Sequence, residues 1–203
     1  MGIIATNLAV FIYELCLPSL AEQNLISSFG LVPAVVAAHW QVFFLTASTS
    51  MFLHLGWAHL LGNMWFLWIF GRAIEDRLSV LNFVLLYCLS GYCAAGVQLL
   101  VNPFENIPMV GASGAVSGVL GAYCYAFPNA RITTLLPLWG WIRLVHLPAS
   151  FYLTLWFVLQ IGTGFATIVS GQQQPVQIAF FAHVGGFLCG YIFGYLTVVR
   201  DPS

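Results

Sequence analysis

Six apolar segments run through this chain of 203 residues, and they constrain its fold more than any other feature. Most approach the length of about 20 residues that an α-helix needs to cross the hydrocarbon core of a membrane. In lipid every backbone N–H and C=O must pair within the protein, so we expect helices. The sequence therefore predicts an all-α membrane protein, a bundle of six transmembrane helices forming a single domain over residues 1–203, with spans at about 3–20, 51–70, 80–101, 111–127, 149–169 and 178–199.

The charge content agrees with a membrane location. Charged residues make up only 5% of the chain, against roughly a quarter in a soluble domain. So few charges cannot cover the surface of a water-soluble globule, which excludes an ordinary soluble enzyme. No cluster of cations exists to neutralise phosphates, which excludes nucleic acid as a partner.

The cysteines carry no sign of a metal site. They lie in apolar stretches, without the spacing of a zinc site or of a disulfide framework. We therefore interpret them as small buried hydrophobes and predict neither a metal nor another cofactor. The residues concerned are Cys16, Cys88, Cys93, Cys124 and Cys189.

The cations orient the predicted bundle. All five follow the second, fourth and sixth spans, and the loops after the other spans contain none. Because Arg and Lys stay on the cytoplasmic side, we expect both termini in the cytoplasm and the cell membrane as the location. The cations are Arg72, Arg77, Arg131, Arg143 and Arg200.

Two stretches between the spans need separate interpretation. Residues 31–46 are apolar enough for a further crossing, although Pro33, His39 and Trp40 favour an interfacial loop, so both alternatives stay open. Between the fourth and fifth spans, Trp139 and Trp141 are flanked by arginines and are typical of an interfacial anchor.

Three groups of polar residues lie near the ends of apolar spans, where they are costly and indicate function. His59 and Asn63 are four residues apart at the start of the second span and share a helix face, whereas His54 is predicted to point away from them. Ser113 opens the fourth span, and His183 lies near the start of the sixth. These three spans run in the same direction, so we expect all three groups at similar depth on the outer side.

Small residues should bring the fourth and sixth spans together, because smooth glycine faces let helix backbones approach closely in lipid. His183 precedes Gly186 by three residues and Gly190 by seven, which puts it on such a face. We therefore expect its imidazole near the Ser113 hydroxyl. The two faces consist of Gly114, Gly118 and Gly121 on one span and Gly186, Gly190 and Gly194 on the other.

A serine beside a histidine is the nucleophile arrangement of acyl-transfer enzymes. Ser113 would attack a carbonyl carbon, while His183 would take the serine proton and later protonate the leaving amine. His59, the Asn63 amide and the Ser113 N–H are candidate donors to the oxyanion. The carboxylates after the second and sixth spans lie on the opposite side, so the sequence favours a Ser–His dyad. Each polar group alone also fits helix packing or a transport site, but their coincidence at one depth favours catalysis.

The chain resembles the rhomboid family of intramembrane serine proteases from about residue 40 to residue 199. The resemblance is carried by Thr46–Asn63 (TASTSMFLHLGWAHLLGN), Gly71–Arg77 (GRAIEDR), Gly111–Gly118 (GASGAVSG) and Ala182–Gly194 (AHVGGFLCGYIFG). It implies a six-helix bundle that cleaves transmembrane substrates near their outer membrane boundary.

Carried over by position, the resemblance implies that Ser113 is the nucleophile and His183 the base, with His59 and Asn63 as oxyanion donors. It implies a structural role for His54.

The chain departs from the family pattern at two positions. Ser117 stands where many members have an aromatic ring that stacks on the catalytic imidazole, so the sequence does not predict what orients His183. Gln41 stands where many members carry Arg in the first loop.

Two other functions compete with this hypothesis. An inactive rhomboid-like binding or trafficking factor would be expected to lack Ser113 or His183. A small polytopic transporter would be expected to show inverted repeats, and the first three spans do not resemble the last three. For the favoured function, the predicted partners are transmembrane protein substrates and the lipid bilayer.

Overall fold

The computed structural model describes residues 2–138, 141–170 and 179–198, and within these ranges the chain is mostly helical. A 3-10 turn, Trp40–Val42, precedes α4, and a π-helical stretch, Leu67–Gly71, joins α5 to α6. In chain order the elements are α1 (Gly2–Leu15), α2 (Ser19–Phe29), α3 (Pro33–Ala38), α4 (Phe43–Ser50), α5 (Trp57–Phe66), α6 (Arg72–Glu75), α7 (Val80–Val101), α8 (Ser113–Ala126), β1 (Arg131–Leu138), β2 (Trp141–Pro148), α9 (Ala149–Ser170) and α10 (Phe180–Thr197).

Three of the described helices contain a stretch long and apolar enough to cross a membrane, namely Val80–Val101, Ala149–Ala166 and Phe180–Thr197. The other apolar segments form shorter helices. α1 and α8 have 14 residues each, which is about 21 Å against a hydrocarbon core of about 30 Å. The bundle of six crossings therefore stays a prediction.

α8 occupies the centre of the bundle. Ten of its 14 residues are buried, and it packs against α7, α9 and α10. A short helix can lie there because these longer helices cover it on several sides. Ser113 is the first residue of α8, so its place in the bundle is set by this central helix.

Glycines bring α8 and α10 into backbone contact, as their spacing predicted. A Cβ atom added at Gly186 would overlap the carbonyl oxygen of Gly114, and one added at Gly190 would overlap that of Gly118. Any side chain at either position would push the helices apart, so this close approach requires glycine.

The first predicted span is interrupted and the second begins later than predicted, so the prediction of continuous helices over 3–20 and 51–70 is wrong. α1 ends at Leu15, and α2 begins after Pro18, because proline lacks the N–H that would continue the helix and disfavours helical backbone before it. Residues 51–56 are irregular. α5 begins only after Gly56, whose φ of 153° is a conformation that other residues rarely adopt.

Residues 31–46 form short pieces of structure. α3 has six residues, about 9 Å of helix, which cannot cross a membrane. Leu31 and Met109 exchange backbone hydrogen bonds of 3.0 and 2.8 Å. This segment therefore lies against the loop that precedes α8.

An antiparallel hairpin of β1 and β2 fills the region for which the sequence predicted an interfacial anchor. Thr133 pairs with His146 in the register of the strands, and the two side chains are 2.9 Å apart at Thr133 Oγ1 and His146 Nδ1. Pairing between the strands satisfies backbone groups that a loop would leave open. Of the two predicted anchor residues, Trp139 lies outside the described residues.

The described arginines can be followed through the fold. The Arg77 guanidinium lies 4.8 Å from the centre of the Phe127 ring, just beyond the C-terminus of α8 and a few residues before Arg131. Arg77 and Arg131 therefore lie towards the same end of α8, whereas Arg200 lies outside the described residues. The side of the membrane on which the arginines lie stays a prediction.

The prediction that all cysteines are buried holds fully only for Cys124. Cys16 and Cys93 are exposed on the surface of the chain, and Cys88 and Cys189 are half-buried. An exposed position does not conflict with an apolar side chain here, because the outer faces of membrane helices meet lipid instead of protein.

Candidate active site

Ser113 lies at the junction of a strained turn and α8. Gly111 precedes it by two residues and has a φ of 120°, and its N–H donates to the Ser50 carbonyl at 2.8 Å. A Cβ at Gly111 would lie 2.5 Å from Cε1 of His59. Glycine at this position therefore permits both the turn and the close approach of the His59 ring.

His183 lies in the first turn of α10 and meets Ser113 across the interface of α8 and α10. Its Nε2 atom is 3.0 Å from the Ser113 hydroxyl oxygen, although the two residues are 70 positions apart in the chain. The contacts of Gly186 with Gly114 and of Gly190 with Gly118 hold the helices at this distance. The structure thus brings together the two residues that the sequence predicted as a dyad.

The other side of the His183 ring meets α9, which the sequence analysis did not connect with the site. Its Nδ1 atom is 2.9 Å from Oε1 of Gln160. The Trp156 ring lies 6.0 Å from the imidazole, centroid to centroid, at 32° between the planes. Gln160 and Trp156 are four residues apart and so share one face of α9. A polar residue amid an apolar span was the signal that could have found Gln160.

Ser117 does not replace the family's aromatic ring. Its hydroxyl donates to the Ser113 carbonyl at 2.6 Å, so it serves the backbone of its own helix. The Trp156 ring of α9 is instead the aromatic group beside the imidazole. What orients His183 therefore comes from a different helix than the family pattern suggested.

His59 and Asn63 occupy different surroundings although they lie one helical turn apart. His59 lines the cavity above Ser113. The buried Asn63 amide nitrogen is 3.2 Å from Nε2 of His54, and the His54 and His59 rings lie 5.1 Å apart. His54 therefore turns towards these residues, and the prediction that it points away from them is wrong, because the irregular residues 51–56 do not follow helical spacing.

Glu14 of α1 contacts the backbone of His54. Its carboxylate oxygens are each 3.3 Å from the His54 backbone N–H, and Glu14 is only 1% exposed. The His54 Nδ1 atom lies 3.3 Å from the Phe52 carbonyl oxygen. A buried carboxylate requires such partners. This contact ties the first helix to the site and was not predicted.

A cavity of about 560 Å³ opens onto Ser113 and His183. Its wall is mostly apolar, and His59 contributes one of its few polar groups. Neither Asn63 nor Gln160 is among its lining residues. Its other lining residues include Met51, Leu55, Ala94, Pro108, Met109, Val110, Gly114 and Ala182.

The groups around the cavity can carry out acyl transfer. Ser113 offers a nucleophile in hydrogen-bond contact with a base, and that base contacts a further acceptor. The first N–H groups of α8 have no partner within the helix and carry the positive end of its dipole. Within the described ranges, no group of three or more His, Cys, Asp or Glu side chains could hold a metal ion.

Comparison with known proteins gives one consistent result. The Rhomboid domain family matches residues 39–200. RHOMBOID-like protein 1 of Arabidopsis thaliana is 31% identical over 172 residues, which cover 83% of this chain and 38% of that protein. Presenilin-associated rhomboid-like protein, mitochondrial, of Mus musculus is 33% identical over 199 residues, covering 93% of this chain and 46% of that protein.

A bacterial relative is similar over a shorter region. Rhomboid protease GluP of Bacillus subtilis is 29% identical over 143 residues, covering 70% of this chain and 24% of that protein. The chain thus spans less than half the length of each of these three relatives.

Proposed function

The chain belongs to the rhomboid family and is an integral membrane protein, and we propose that it is an intramembrane serine endopeptidase. Its substrates would be proteins with a transmembrane segment, cleaved near the outer boundary of the membrane. A relative named as a rhomboid protease supports this activity. The observation that carries the proposal is the 3.0 Å contact between Ser113 Oγ and His183 Nε2 at the floor of the cavity.

Acylation would use this pair directly. As the Ser113 oxygen attacks the carbonyl carbon of the scissile peptide bond, its proton passes to His183 Nε2. The tetrahedral intermediate collapses, the C–N bond breaks, and His183 gives the proton to the leaving amine. The products of this half-reaction are the released amine segment and an ester between the substrate acyl group and Ser113.

Deacylation would reverse the roles with water. His183 accepts a proton from a water molecule, whose oxygen attacks the ester carbonyl carbon. Collapse of the second intermediate returns the proton to Ser113 and frees the carboxylic acid. The cavity supplies the space for this water at a depth where lipid would otherwise exclude it.

The oxyanion would be stabilised from two directions. The Ser113 N–H begins α8, so the helix dipole favours a negative charge beside it. Of the two predicted side-chain donors, His59 lines the cavity and Asn63 does not. Asn63 is held by His54, so it would have to turn from that partner to donate directly. We therefore propose that His59 donates a hydrogen bond directly to the oxyanion. Asn63 would contribute at least in part by holding the His54 ring.

The proposal extends to the fold and orientation. Six crossings would result if α1, the segment from α5 to α6, and α8 complete the spans formed by α7, α9 and α10. The arginines would then lie in the cytoplasm with both termini, and the cavity would open to the opposite side.

A direct test combines cleavage with active-site labelling. The purified protein in proteoliposomes should cleave a single-span substrate and react with a fluorophosphonate, and Ser113→Ala should abolish both. Ser117→Ala is the matched control, because this serine lies one turn further along the same helix. Labelling that persists in Ser113→Ala and disappears in Ser117→Ala would overturn the assignment. A protein that binds the substrate without cleaving it would be the inactive rhomboid-like factor.

A further inference from the structure

Gln160 is a polar side chain on a helix that otherwise consists mainly of apolar residues in this region. It lies in α9, in the stretch Ala149–Ala166 that is long and apolar enough to cross a membrane. An amide in such surroundings is costly unless it finds a partner. Its carbonyl oxygen finds one in Nδ1 of His183, at 2.9 Å. The His183 ring is thus held between Gln160 on one side and Ser113 on the other.

The Gln160 atom that contacts His183 is a carbonyl oxygen, and this determines which ring nitrogen of His183 carries the proton. A neutral imidazole has one N–H donor and one acceptor nitrogen. The carbonyl oxygen of Gln160 can only accept, so a hydrogen bond in this contact requires the proton on Nδ1. Nε2 is then the acceptor, and that is the nitrogen which faces the Ser113 hydroxyl. The opposite tautomer would point an N–H at Ser113 and could not take its proton.

A second contact from the same helix limits rotation of the ring. Trp156 lies one helical turn before Gln160, and its ring lies beside the imidazole in a tilted arrangement, with 6.0 Å between the centroids and 32° between the ring planes. The hydrogen bond sets the tautomer, and the indole restricts the plane. Both constraints come from α9, so this helix orients the base although it contributes neither Ser113 nor His183.

We propose that Gln160 is a positioning residue that holds His183 in its Nδ1–H tautomer, so that Ser113, His183 and Gln160 act together as a triad with a neutral third member. This inference rests on the proposed protease function. A neutral amide is sufficient for this role, because accepting a hydrogen bond from Nδ1–H needs only an acceptor oxygen and no charge. The carboxylate of Glu14 contacts a different histidine, because it accepts a hydrogen bond from the backbone N–H of His54.

Two substitutions separate hydrogen bonding from packing. Gln160→Met keeps the length of the side chain but removes the acceptor, whereas Gln160→Glu keeps an acceptor oxygen. We expect Gln160→Met to lower kcat roughly 10- to 100-fold. This range lies between the rate effect of losing one neutral hydrogen bond and that of losing general-base catalysis altogether. KM should change little, because Gln160 does not line the cavity. Gln160→Glu should restore most of the lost rate. Thr154→Val, at an exposed site on the same helix, should match the parent.

The rate measurements overturn the proposal in two cases. One is a kcat for Gln160→Met equal to that of the parent. The other is a Gln160→Glu protein as slow as Gln160→Met while both unfold at the parental temperature, which would reduce Gln160 to a packing residue.

A spectroscopic measurement tests the tautomer without relying on cleavage. In ¹⁵N-histidine-labelled protein, the His183 signals are those lost in His183→Ala. We expect a protonated Nδ1 and an unprotonated Nε2 in the parent and a mixture of tautomers in Gln160→Met. A protonated Nε2 in the parent would overturn the inference. If instead the parent shows the expected tautomer but neither cleaves substrate nor reacts with the fluorophosphonate, the proposed function fails and the positioning of His183 stands.

Discussion

At the scale of single residues, the dyad should behave as one unit. Ser113→Ala and His183→Ala should each reduce cleavage to near background, and the double variant should lose little more, because groups that act in the same proton transfer are not additive. Single-turnover cleavage of the three variants measures this. Losses that multiply in the double variant would show that the two residues act independently.

Asn63 should affect stability as well as rate, because its amide pairs with His54. Asn63→Ala leaves the buried Nε2 of His54 without its donor, which should lower the free energy of unfolding by about 1–3 kcal/mol. The cleavage rate should fall by less than the roughly 100- to 1,000-fold typical of a lost oxyanion donor. Asn106→Ala, in an exposed loop position, is the control for both assays.

His59 and Asn63 can be tested together for the oxyanion role. If the His59→Ala, Asn63→Ala double variant cleaves substrate at the parental rate, neither residue stabilises the oxyanion. Both would then be packing residues between helices.

Glu14 should stabilise the site through the His54 backbone. Glu14→Leu removes the acceptors of a buried N–H and should lower the free energy of unfolding by about 1–3 kcal/mol, whereas Glu14→Gln keeps one acceptor oxygen and should lose less. Thermal unfolding in detergent measures both, with Asn106→Ala at an exposed loop position as the control. Equal stability of Glu14→Leu and the parent would show that the contact contributes nothing.

At the scale of helices, activity should depend on the contact between α8 and α10. A Cβ in Gly190→Ala would overlap the Gly118 carbonyl oxygen and force the helices apart. A displacement of about 1 Å between His183 and Ser113 can cost on the order of 100-fold in rate. Gly162→Ala on α9 is the matched control, since a Cβ there meets nothing within 4 Å. A folded Gly190→Ala protein with parental cleavage would show that this contact does not set the site.

At the scale of the whole molecule, the orientation in the membrane can be measured by thiol labelling. In a background without native cysteines, Glu105→Cys in the loop before α8 should react with a membrane-impermeant reagent applied from outside. Arg143→Cys in β2 should react only after the membrane is opened, because arginines stay in the cytoplasm. The reverse pattern would place the cavity on the cytoplasmic side and contradict the proposed topology.

Several features of this protein could be predicted from the sequence because they depend on spacing within one segment. Long apolar stretches with few charges require a membrane, and the bounds of α7 coincide with the predicted span at 80–101. The glycine spacing on α10 likewise puts small residues and His183 on one face, whatever the rest of the fold does. The pairing of this face with α8 could be inferred because few other surfaces in the chain are smooth enough to approach it.

Only the tertiary structure decided which neighbouring side chains meet. Whether Gln160 reaches His183, whether Asn63 faces the cavity or His54, and whether Glu14 contacts the His54 backbone all depend on how each helix is rotated and shifted against the next. A rotation by one residue, about 100°, exchanges one such partner for another. Proline and glycine breaks near Pro18 and Gly56 alter these rotations further. Hydrogen bonds require agreement to a few tenths of an ångström, and that agreement is set by the packing of all the helices together.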